Sequence, residues 1–239
     1  MKKNKRILTK KEGESLPKTI GFYGSYPADI CMYAAYALQN AGNRVCVIDL
    51  SEDGILFRCI PAPEECFAAV TFHEVDFIWR KPLVQWEDLD YDFVLVQLGE
   101  HPQELCLAVC SLRILVMDCE RSTLDFYHPF LETSGMPAIV LLRGFCANRT
   151  AIGKIMDYFG RGSCLIERWL LLPFHEADEA YRIQMQYQLL SKFAHISADL
   201  EQVLVQLLLQ FGIKDRVKTT RAVRNAKLGK TAGRLYLVS

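Results

Sequence analysis

The first residues whose types and spacing could do chemistry lie in a short turn, GFYGSYPADICM, which begins at Gly21. Apolar residues before the turn predict a strand, and the alanine-rich run after it predicts a helix. Gly21, Gly24 and Ser25 are residue types of a phosphate-binding turn, in which backbone amides at a helix N-terminus surround an anion. Such a loop also uses a lysine to balance the phosphate charge, and the sequence has no lysine from residue 19 to residue 80. The turn therefore has the outline of a phosphate site without its cation.

Two residues of the turn, Pro27 and Asp29, oppose phosphate binding directly. Pro27 has no backbone N–H and so removes one donor. Asp29 falls at the predicted start of the helix, where its carboxylate can accept hydrogen bonds from free amides and occupy the positive end of the helix dipole. That arrangement stabilises a helix by about 0.5–1 kcal/mol, so the sequence predicts a loop that caps itself. Tyr23, Tyr26 and Tyr33 make the stretch aromatic, which favours contact with a protein over contact with a nucleotide.

Two further polar residues end predicted strands: Asp49 follows VCVI, and Gln97 closes FVLVQ. Ligands of open α/β sheets bind at the carboxyl ends of strands, so both residues belong with the glycine turn. A magnesium–phosphate site requires carboxylates, and the neutral amide of Gln97 cannot replace one. The candidate residues of this vestigial nucleotide loop are Gly21, Gly24, Ser25, Pro27, Asp29, Asp49 and Gln97.

Strand and helix patterns alternate along the middle of the chain. The predicted strands are continuous apolar runs, typical of strands covered on both faces, at 19–23, 44–49, 93–97, 113–117, 138–142 and within 165–172. The predicted helices lie at 29–40, 102–110, 122–132, 150–159, 176–190 and 197–211. The segment DFIWRKPLVQW is a candidate for one more short strand. Repeated strand–helix units predict an α/β fold with a doubly wound, mostly parallel sheet.

Five segments, in this order, carry a family resemblance: IGFYGS, AAYALQNAGNRVCVIDLS, LDYDFVLVQLGE, PAIVLLRGF and LLLPFHEADEAYRIQM. Together they resemble the MinD/ParA family of P-loop ATPases with a deviant phosphate loop, including the relatives that localise pilus and secretion machinery. The resemblance runs from about residue 19 to residue 211. It implies a P-loop NTPase-like three-layer sandwich.

The residues that would carry catalysis in that family are missing here. Neither the phosphate-loop lysine nor the family's second signature lysine can be assigned. Ser51 stands where a second acid is common, Gln97 where the magnesium-linked aspartate belongs, and Arg143 where an asparagine often recognises adenine. With these losses, the resemblance implies a pseudo-ATPase that has no cofactor and is not an enzyme. It would bind or position a protein partner or a homologous ATPase subunit, as a homo- or heterodimer.

Charge is distributed unevenly although the chain is formally neutral. Seven Lys/Arg and two Glu lie within residues 1–18, and eight Lys/Arg and one Asp lie within residues 214–239. The acidic body, predicted as one domain at 19–213, thus lies between two basic tails. The alternatives for these tails are solvated ends, ends that fold back onto the body, or attachment to an anionic membrane, nucleic acid or protein through counterion release. The C-terminal cations proposed for attachment are Arg216, Lys218, Arg221, Arg224, Lys227 and Lys230.

Composition favours a cytoplasmic protein that a partner could recruit to a membrane. No stretch approaches the roughly 20 uninterrupted apolar residues of a membrane span. The nine cysteines lack paired spacing, which favours buried thiols in a reducing compartment. Cys106, Cys110 and His101 could suggest a metal site, but no second pair with metal spacing follows them, and core packing is the better interpretation.

Two rival functions stay open at this point. One is an α/β enzyme that binds a nucleotide or a methyl donor through Gly21, Gly24 and Asp49, although the glycines are too few for a dinucleotide fingerprint. The other is a nucleic-acid-binding module that uses the basic C-terminal tail. Stabilisation by ATP would favour the first rival, and loss of DNA binding on removal of residues 214–239 would favour the second.

Overall fold

The computed structural model describes residues 16–60, 69–79, 90–146, 149–187, 194–229 and 236–238. Its strands are β1 (Lys18–Gly24), β2 (Val45–Asp49), β3 (Ala69–Phe72), β4 (Val75–Trp79), β5 (Phe93–Gln97), β6 (Leu112–Met117), β7 (Ala138–Phe145), β8 (Ile166–Pro173) and β9 (Tyr236–Val238). Across the described residues they form one sheet in the order β8-β7-β6-β1-β5-β2-β4-β3-β9. Neighbouring strands are parallel, except that β3 is antiparallel to both β4 and β9.

Helices cover both faces of this sheet. They are α1 (Ala28–Asn40), α2 (Ile55–Arg58), α3 (Glu104–Ala108), α4 (Arg121–Ser134), α5 (Arg149–Gly160), α6 (Glu176–Met185), α7 (Ala198–Gln210) and α8 (Arg216–Lys227). One hydrophobic cluster joins α1, α7 and α8 to the sheet, and a second joins residues of α3, α4 and α5 to its opposite face. The result is a three-layer α/β sandwich.

The first helix is buried nearly all round. Every residue from Ala28 to Leu38 is buried, because α1 contacts the sheet on one side and α7 and α8 on the other. Small alanines let these neighbours approach closely. The burial of α1 on both sides explains why its sequence is apolar and has no clear polar face.

Helix α8 lies on the body of the protein. Its buried side chains, Thr219, Ala222, Val223 and Ala226, form a stripe of small residues that packs on α1 and α7. Asp215 begins the helix by accepting hydrogen bonds from the amides of Val217 and Lys218 at 2.9 and 3.0 Å. For residues 216–227, the alternative in which the basic end folds back onto the body therefore describes the structure.

The predicted doubly wound, mostly parallel α/β sheet is confirmed. All six predicted strands are present within one to three residues of their expected ends, and the additional short strand in DFIWRKPLVQW is β4. The helix predicted at 176–190 is seen over Glu176–Met185, and its last predicted residues, 188–190, lie outside the described residues. None of the described helices is long and apolar enough to cross a membrane.

Two strands were not predicted. β3 joins β4 through a tight turn in which His73 and Glu74 have positive φ angles of 51° and 61°. Asn and Gly are the usual signals for such a turn, and neither occurs here. β9 is three residues long and pairs with β3 across more than 160 residues of sequence, a contact that no local pattern encodes.

Candidate functional site

A cavity of about 620 Å³ opens at the carboxyl ends of the central parallel strands. Its walls are formed by Tyr26 and Pro27 after β1, by residues 50–53 after β2, and by residues 97–101 at and after the end of β5. This is the edge at which open α/β sheets bind ligands. Two of the predicted site residues, Pro27 and Gln97, lie on its walls. The other five are not among its lining residues: Gly21, Gly24, Ser25, Asp29 and Asp49.

The glycines of the turn are required by packing. A Cβ atom on Gly24 would lie 1.9 Å from the carbonyl oxygen of Val116, and the φ angle of Gly24 is +112°. A Cβ atom on Gly21 would lie 2.8 Å from the Sγ atom of Cys110. Both glycines are therefore explained by close approach of neighbouring strands and side chains, without a phosphate.

The amides of the turn already have partners within the protein. The Gly24 amide donates to the carbonyl of Gly99 at 3.0 Å, and the Ser25 amide donates to the carbonyl of Val116 at 2.8 Å. Pro27, the residue before α1, has no N–H to offer. These three positions of the turn therefore present few free donors to an anion in the cavity.

A buried ion pair occupies the start of α1. Arg143, from β7, donates from Nη1 and Nη2 to the two carboxylate oxygens of Asp29, each at 2.9 Å. Asp29 is 1% exposed and Arg143 is 8% exposed. Nη1 also donates to the carbonyl of Tyr26 at 3.3 Å, and the Ile30 amide donates to Asp29 Oδ1 at 2.8 Å. The pair thus fastens the turn to β7.

Burial and the charge of Asp29 act in opposite directions on the pKa of Arg143. Burial by itself would lower the pKa of Arg143, but the charge and hydrogen bonds of Asp29 hold that pKa above its ordinary value. A bidentate guanidinium–carboxylate pair has the strongest geometry for such a contact. The sequence predicted Asp29 as a helix cap. In the structure its carboxylate serves mainly as the fixed counterion of Arg143.

Only one of the three tyrosines is available on the surface of the turn. Tyr23 and Tyr33 are each 1% exposed, whereas Tyr26 is 51% exposed with a positive φ of 52°. The expectation of an aromatic loop surface built from all three was wrong, because β1 and α1 bury the other two rings. The guanidinium of Arg182, which is paired with Glu179, lies 4.5 Å from the centre of the Tyr26 ring.

Asp49 organises the loop that follows β2. Its Oδ1 accepts hydrogen bonds from the amide and hydroxyl of Ser51 at 3.0 and 2.6 Å, and its Oδ2 accepts one from the amide of Leu56 at 3.0 Å. Both oxygens of the carboxylate are therefore engaged in holding local structure. Asp49 and Gln97 are direct neighbours in the register of β2 and β5.

Gln97 supplies no charge to the site. Its side chain is buried, and its Oε1 atom has no hydrogen-bond partner among the described residues. Three exposed carboxylates, those of Glu52, Asp53 and Glu100, lie on the cavity walls. The described lining residues include no lysine or arginine. The cavity is thus acidic, opposite to the charge that a nucleotide requires.

The basic residues of α8 have two different environments. Arg216, Lys218 and Arg221 are exposed to solvent. Arg224 and Lys227 instead contact the two carboxylate oxygens of Glu201 on α7, each at 3.2 Å. The predicted attachment residue Lys230 lies outside the described residues.

Sequence reasoning named Asp29 and Arg143 separately and missed their contact. The two residues are 114 positions apart, and neither type carries a local signal for the other. The contact of Tyr26 with Arg182 was missed for the same reason. The one available clue was Asp29 itself, because an aspartate at the start of an apolar helix needs a basic residue to neutralise it.

Comparisons with known proteins support the fold. No protein-family model matches the sequence, and no curated protein matches it. A solved structure of the MinC:MinD cell division protein complex of Aquifex aeolicus is similar, with a TM-score of 0.54 and 12% identity over 87% of this chain and 95% of that chain. The pNOB8 ParA protein bound to nonspecific DNA is similar with a TM-score of 0.51 and 15% identity, over 88% of this chain and 99% of that chain. The predicted MinD/ParA-type fold is thereby confirmed.

Proposed function

We propose that this chain is a pseudo-ATPase: it has the MinD/ParA-type fold but acts as a non-catalytic, protein-binding or positioning subunit of a larger assembly. The observation that carries the proposal is the buried Asp29–Arg143 pair at the start of α1. It places a fixed carboxylate at the helix terminus where an ATPase of this fold would bind phosphate.

A phosphate would have to compete with that carboxylate. Moving Asp29 away from Arg143 would leave a buried charge without its partner, a change that typically costs about 3–5 kcal/mol. Leaving the pair in place would offer the phosphate a guanidinium whose charge and donors are already engaged by Asp29, so no net positive charge remains to bind the phosphate. Either way, the arrangement disfavours binding of a nucleotide's phosphates.

The residues that end β2 and β5 are poorly suited to hold a magnesium ion for a nucleotide. Both oxygens of Asp49 are engaged by Ser51 and Leu56, and Gln97 is neutral. The carboxylates of Glu52, Asp53 and Glu100 add negative charge to the walls of the cavity. Such a cavity complements a basic segment of a protein partner better than a nucleotide.

Tyr26 is the residue of the turn best placed to contact that partner. It is half exposed and held by Arg182, and aromatic residues fixed in this way are common at the centres of protein interfaces. In one similar solved structure MinD is in complex with MinC, and in another ParA is bound to DNA. For this chain the acidic cavity beside Tyr26 favours a protein.

The nucleotide half of the proposal is tested by thermal denaturation of the full chain with and without millimolar MgATP. We expect no change in Tm for the wild-type protein. Asp29→Asn should behave differently, because Arg143 is then left without its anion: millimolar inorganic phosphate should raise the Tm of this variant. A clear rise in the Tm of the wild-type protein with MgATP would overturn the proposal.

The partner half is tested by affinity capture with the tagged full chain from its native cell. Tyr26→Ala should lose a specific protein that the wild-type chain retains. Tyr187→Ala is the matched control, because Tyr187 is 82% exposed and does not line the cavity. An unchanged set of captured proteins with Tyr26→Ala would contradict a role for this surface.

A further inference from the structure

A second cluster of ligand-type side chains lies apart from the cavity. His128 and Glu132 are one turn apart on α4, and Cys164 lies in the segment between α5 and β8. One nitrogen, one oxygen and one sulfur atom from these residues lie within 4.8 Å of one another. All three side chains are partly accessible to solvent, so an ion can reach them.

The two nitrogens of His128 have different partners. Nε2 lies 3.2 Å from the carbonyl oxygen of Tyr158, a geometry in which Nε2 carries a hydrogen and donates it. Nδ1 lies 3.5 Å from Oε2 of Glu132. In the neutral imidazole, Nδ1 is then an acceptor that faces a carboxylate, and a cation between the two would be attracted to both.

This arrangement has the form of a metal site with its outer hydrogen bond in place. Histidine ligands of metals typically donate their second N–H to a backbone carbonyl or a carboxylate, which fixes the orientation of the ring. Here Tyr158 supplies that carbonyl, and the rings of Tyr158 and Phe159 pack against the imidazole at centroid distances of 4.6 and 5.4 Å. His128 is therefore held rigidly with Nδ1 directed at Glu132.

The other two ligand-type residues are held by the turn that follows α5. A Cβ atom on Gly162 would lie 2.0 Å from Oε1 of Glu132, so the absence of a side chain there makes room for the carboxylate. The Sγ atom of Cys164 lies 3.6 Å from the backbone oxygen of His128. The turn thus brings the thiol to the same end of α4 as the imidazole and the carboxylate.

We propose that His128, Glu132 and Cys164 bind Zn²⁺, with water as the fourth ligand. A set of nitrogen, oxygen and sulfur ligands suits zinc, which binds each at about 2.0–2.3 Å in tetrahedral geometry. To take up that geometry, the three ligand atoms, now within 4.8 Å of one another, would move closer together around the ion. Binding releases the thiol proton of Cys164 to solvent and fastens α4 to the segment before β8.

The test uses the full chain, freed of metal by a chelator and then titrated with Zn²⁺ in a calorimeter. A parallel titration with Co²⁺ reports the ligands, because a thiolate bound to Co²⁺ gives a charge-transfer absorption band. We expect one equivalent of either metal, a rise in Tm with Zn²⁺, and a thiolate band.

Conservative variants identify the site. Cys164→Ser should abolish the thiolate band, and Glu132→Gln, which preserves side-chain volume, should weaken Zn²⁺ binding by about tenfold or more. Cys119→Ser is the control and should change neither, since this half-buried cysteine lies outside the cluster. Failure of the wild-type chain to bind Zn²⁺ at micromolar concentration, or survival of the thiolate band in Cys164→Ser, would overturn the proposal.

Discussion

At the scale of single residues, the Asp29–Arg143 pair sets both stability and charge at the site. Asp29→Asn removes the carboxylate and leaves a guanidinium that is 8% exposed without its counterion. Because that charge is poorly solvated in the folded protein, we expect the free energy of unfolding to fall by about 3–5 kcal/mol. Urea denaturation followed by circular dichroism measures the change.

The exposed pair of Arg121 and Asp125 on α4 is the matched control for this prediction. Arg121→Gln removes a guanidinium that water solvates equally well in the folded and unfolded chain. We therefore expect no significant change in the unfolding free energy. If Asp29→Asn and Arg121→Gln changed the unfolding free energy equally, the buried pair would contribute no more to stability than the exposed pair.

Gly24 offers a second prediction at the residue scale. Gly24→Ala places a Cβ atom 1.9 Å from the carbonyl oxygen of Val116, so the turn or β6 must shift, and we expect a large loss of thermal stability. Gly42→Ala is the control: Gly42 also has a positive φ, of +88°, but nothing lies within 4 Å of the added atom. Gly42→Ala should lower the free energy of unfolding only by the backbone strain, about 1–3 kcal/mol. A Gly24→Ala protein as stable as Gly42→Ala would contradict the packing explanation.

At the scale of elements, α8 combines a buried apolar stripe with an exposed basic face. We expect the full chain to bind vesicles that contain anionic lipid in low salt, and substitution of Arg216, Lys218 and Arg221 by Gln to remove most of that binding. The loss should not disturb folding, because all three side chains are exposed. Sedimentation with vesicles measures the bound fraction.

Arg224→Gln is the control for α8, because the guanidinium of Arg224 is paired with Glu201. It should reduce vesicle binding less than substitution of Arg221 alone. Double-stranded DNA in place of vesicles tests the nucleic-acid alternative with the same variants. Binding that persists undiminished in the triple variant would show that α8 is not the attachment surface.

Elements of the sheet differ in how far sequence alone predicts them. β5 and β6 were predicted because four or more consecutive apolar residues report a strand covered on both faces. The hairpin of β3 and β4 was not predicted because its turn uses His73 and Glu74, residue types that do not signal the positive φ angles they adopt. For α8 the sequence left several alternatives open, because its buried residues Thr219, Ala222 and Ala226 are too small to make a clear apolar pattern.

The candidate site also has one feature that the sequence predicts and one that it does not. Its position was predictable, because Asp49 and Gln97 end strands that the sequence identifies and such ends meet at one edge. The pairing of Asp29 with Arg143 was not, because it depends on how β7 is placed relative to α1. Contacts between residues far apart in sequence are set by the topology of the sheet, and residue type alone does not specify them.

At the scale of the whole molecule, internal contacts hold both the sheet and the turn between β1 and α1. The two hydrophobic clusters cover opposite faces of the sheet, and the turn between β1 and α1 is held by hydrogen bonds to Gly99 and Val116 and by Arg143. Each of these contacts is internal. These contacts stabilise the MinD/ParA-type fold at this turn, and under the proposed function they leave the surface around Tyr26 available to a partner.

The global stability should also depend on alkaline pH through buried thiols. Burial raises the pKa of Cys59 and of Cys110 from an ordinary value of 9.0 to about 12. Above pH 9.0 the unfolded chain loses these protons while the folded chain retains them, so the free energy of unfolding falls as pH rises toward 12. Below pH 9.0 both states are protonated and this contribution to stability is constant. Buried tyrosines with raised pKa values, such as Tyr36 and Tyr91, act in the same direction.

Urea denaturation between pH 7 and pH 11 measures this slope, and two variants identify its source. Cys110→Ala lowers stability at every pH because it leaves a cavity, but the decline of its stability above pH 9.0 should be shallower than that of the wild-type protein. Cys146→Ser is the control, because Cys146 is exposed and lies outside both hydrophobic clusters. A wild-type stability that is flat up to pH 11, or a Cys110→Ala slope equal to the wild-type slope, would mean that the buried thiols do not govern the alkaline limit of the fold.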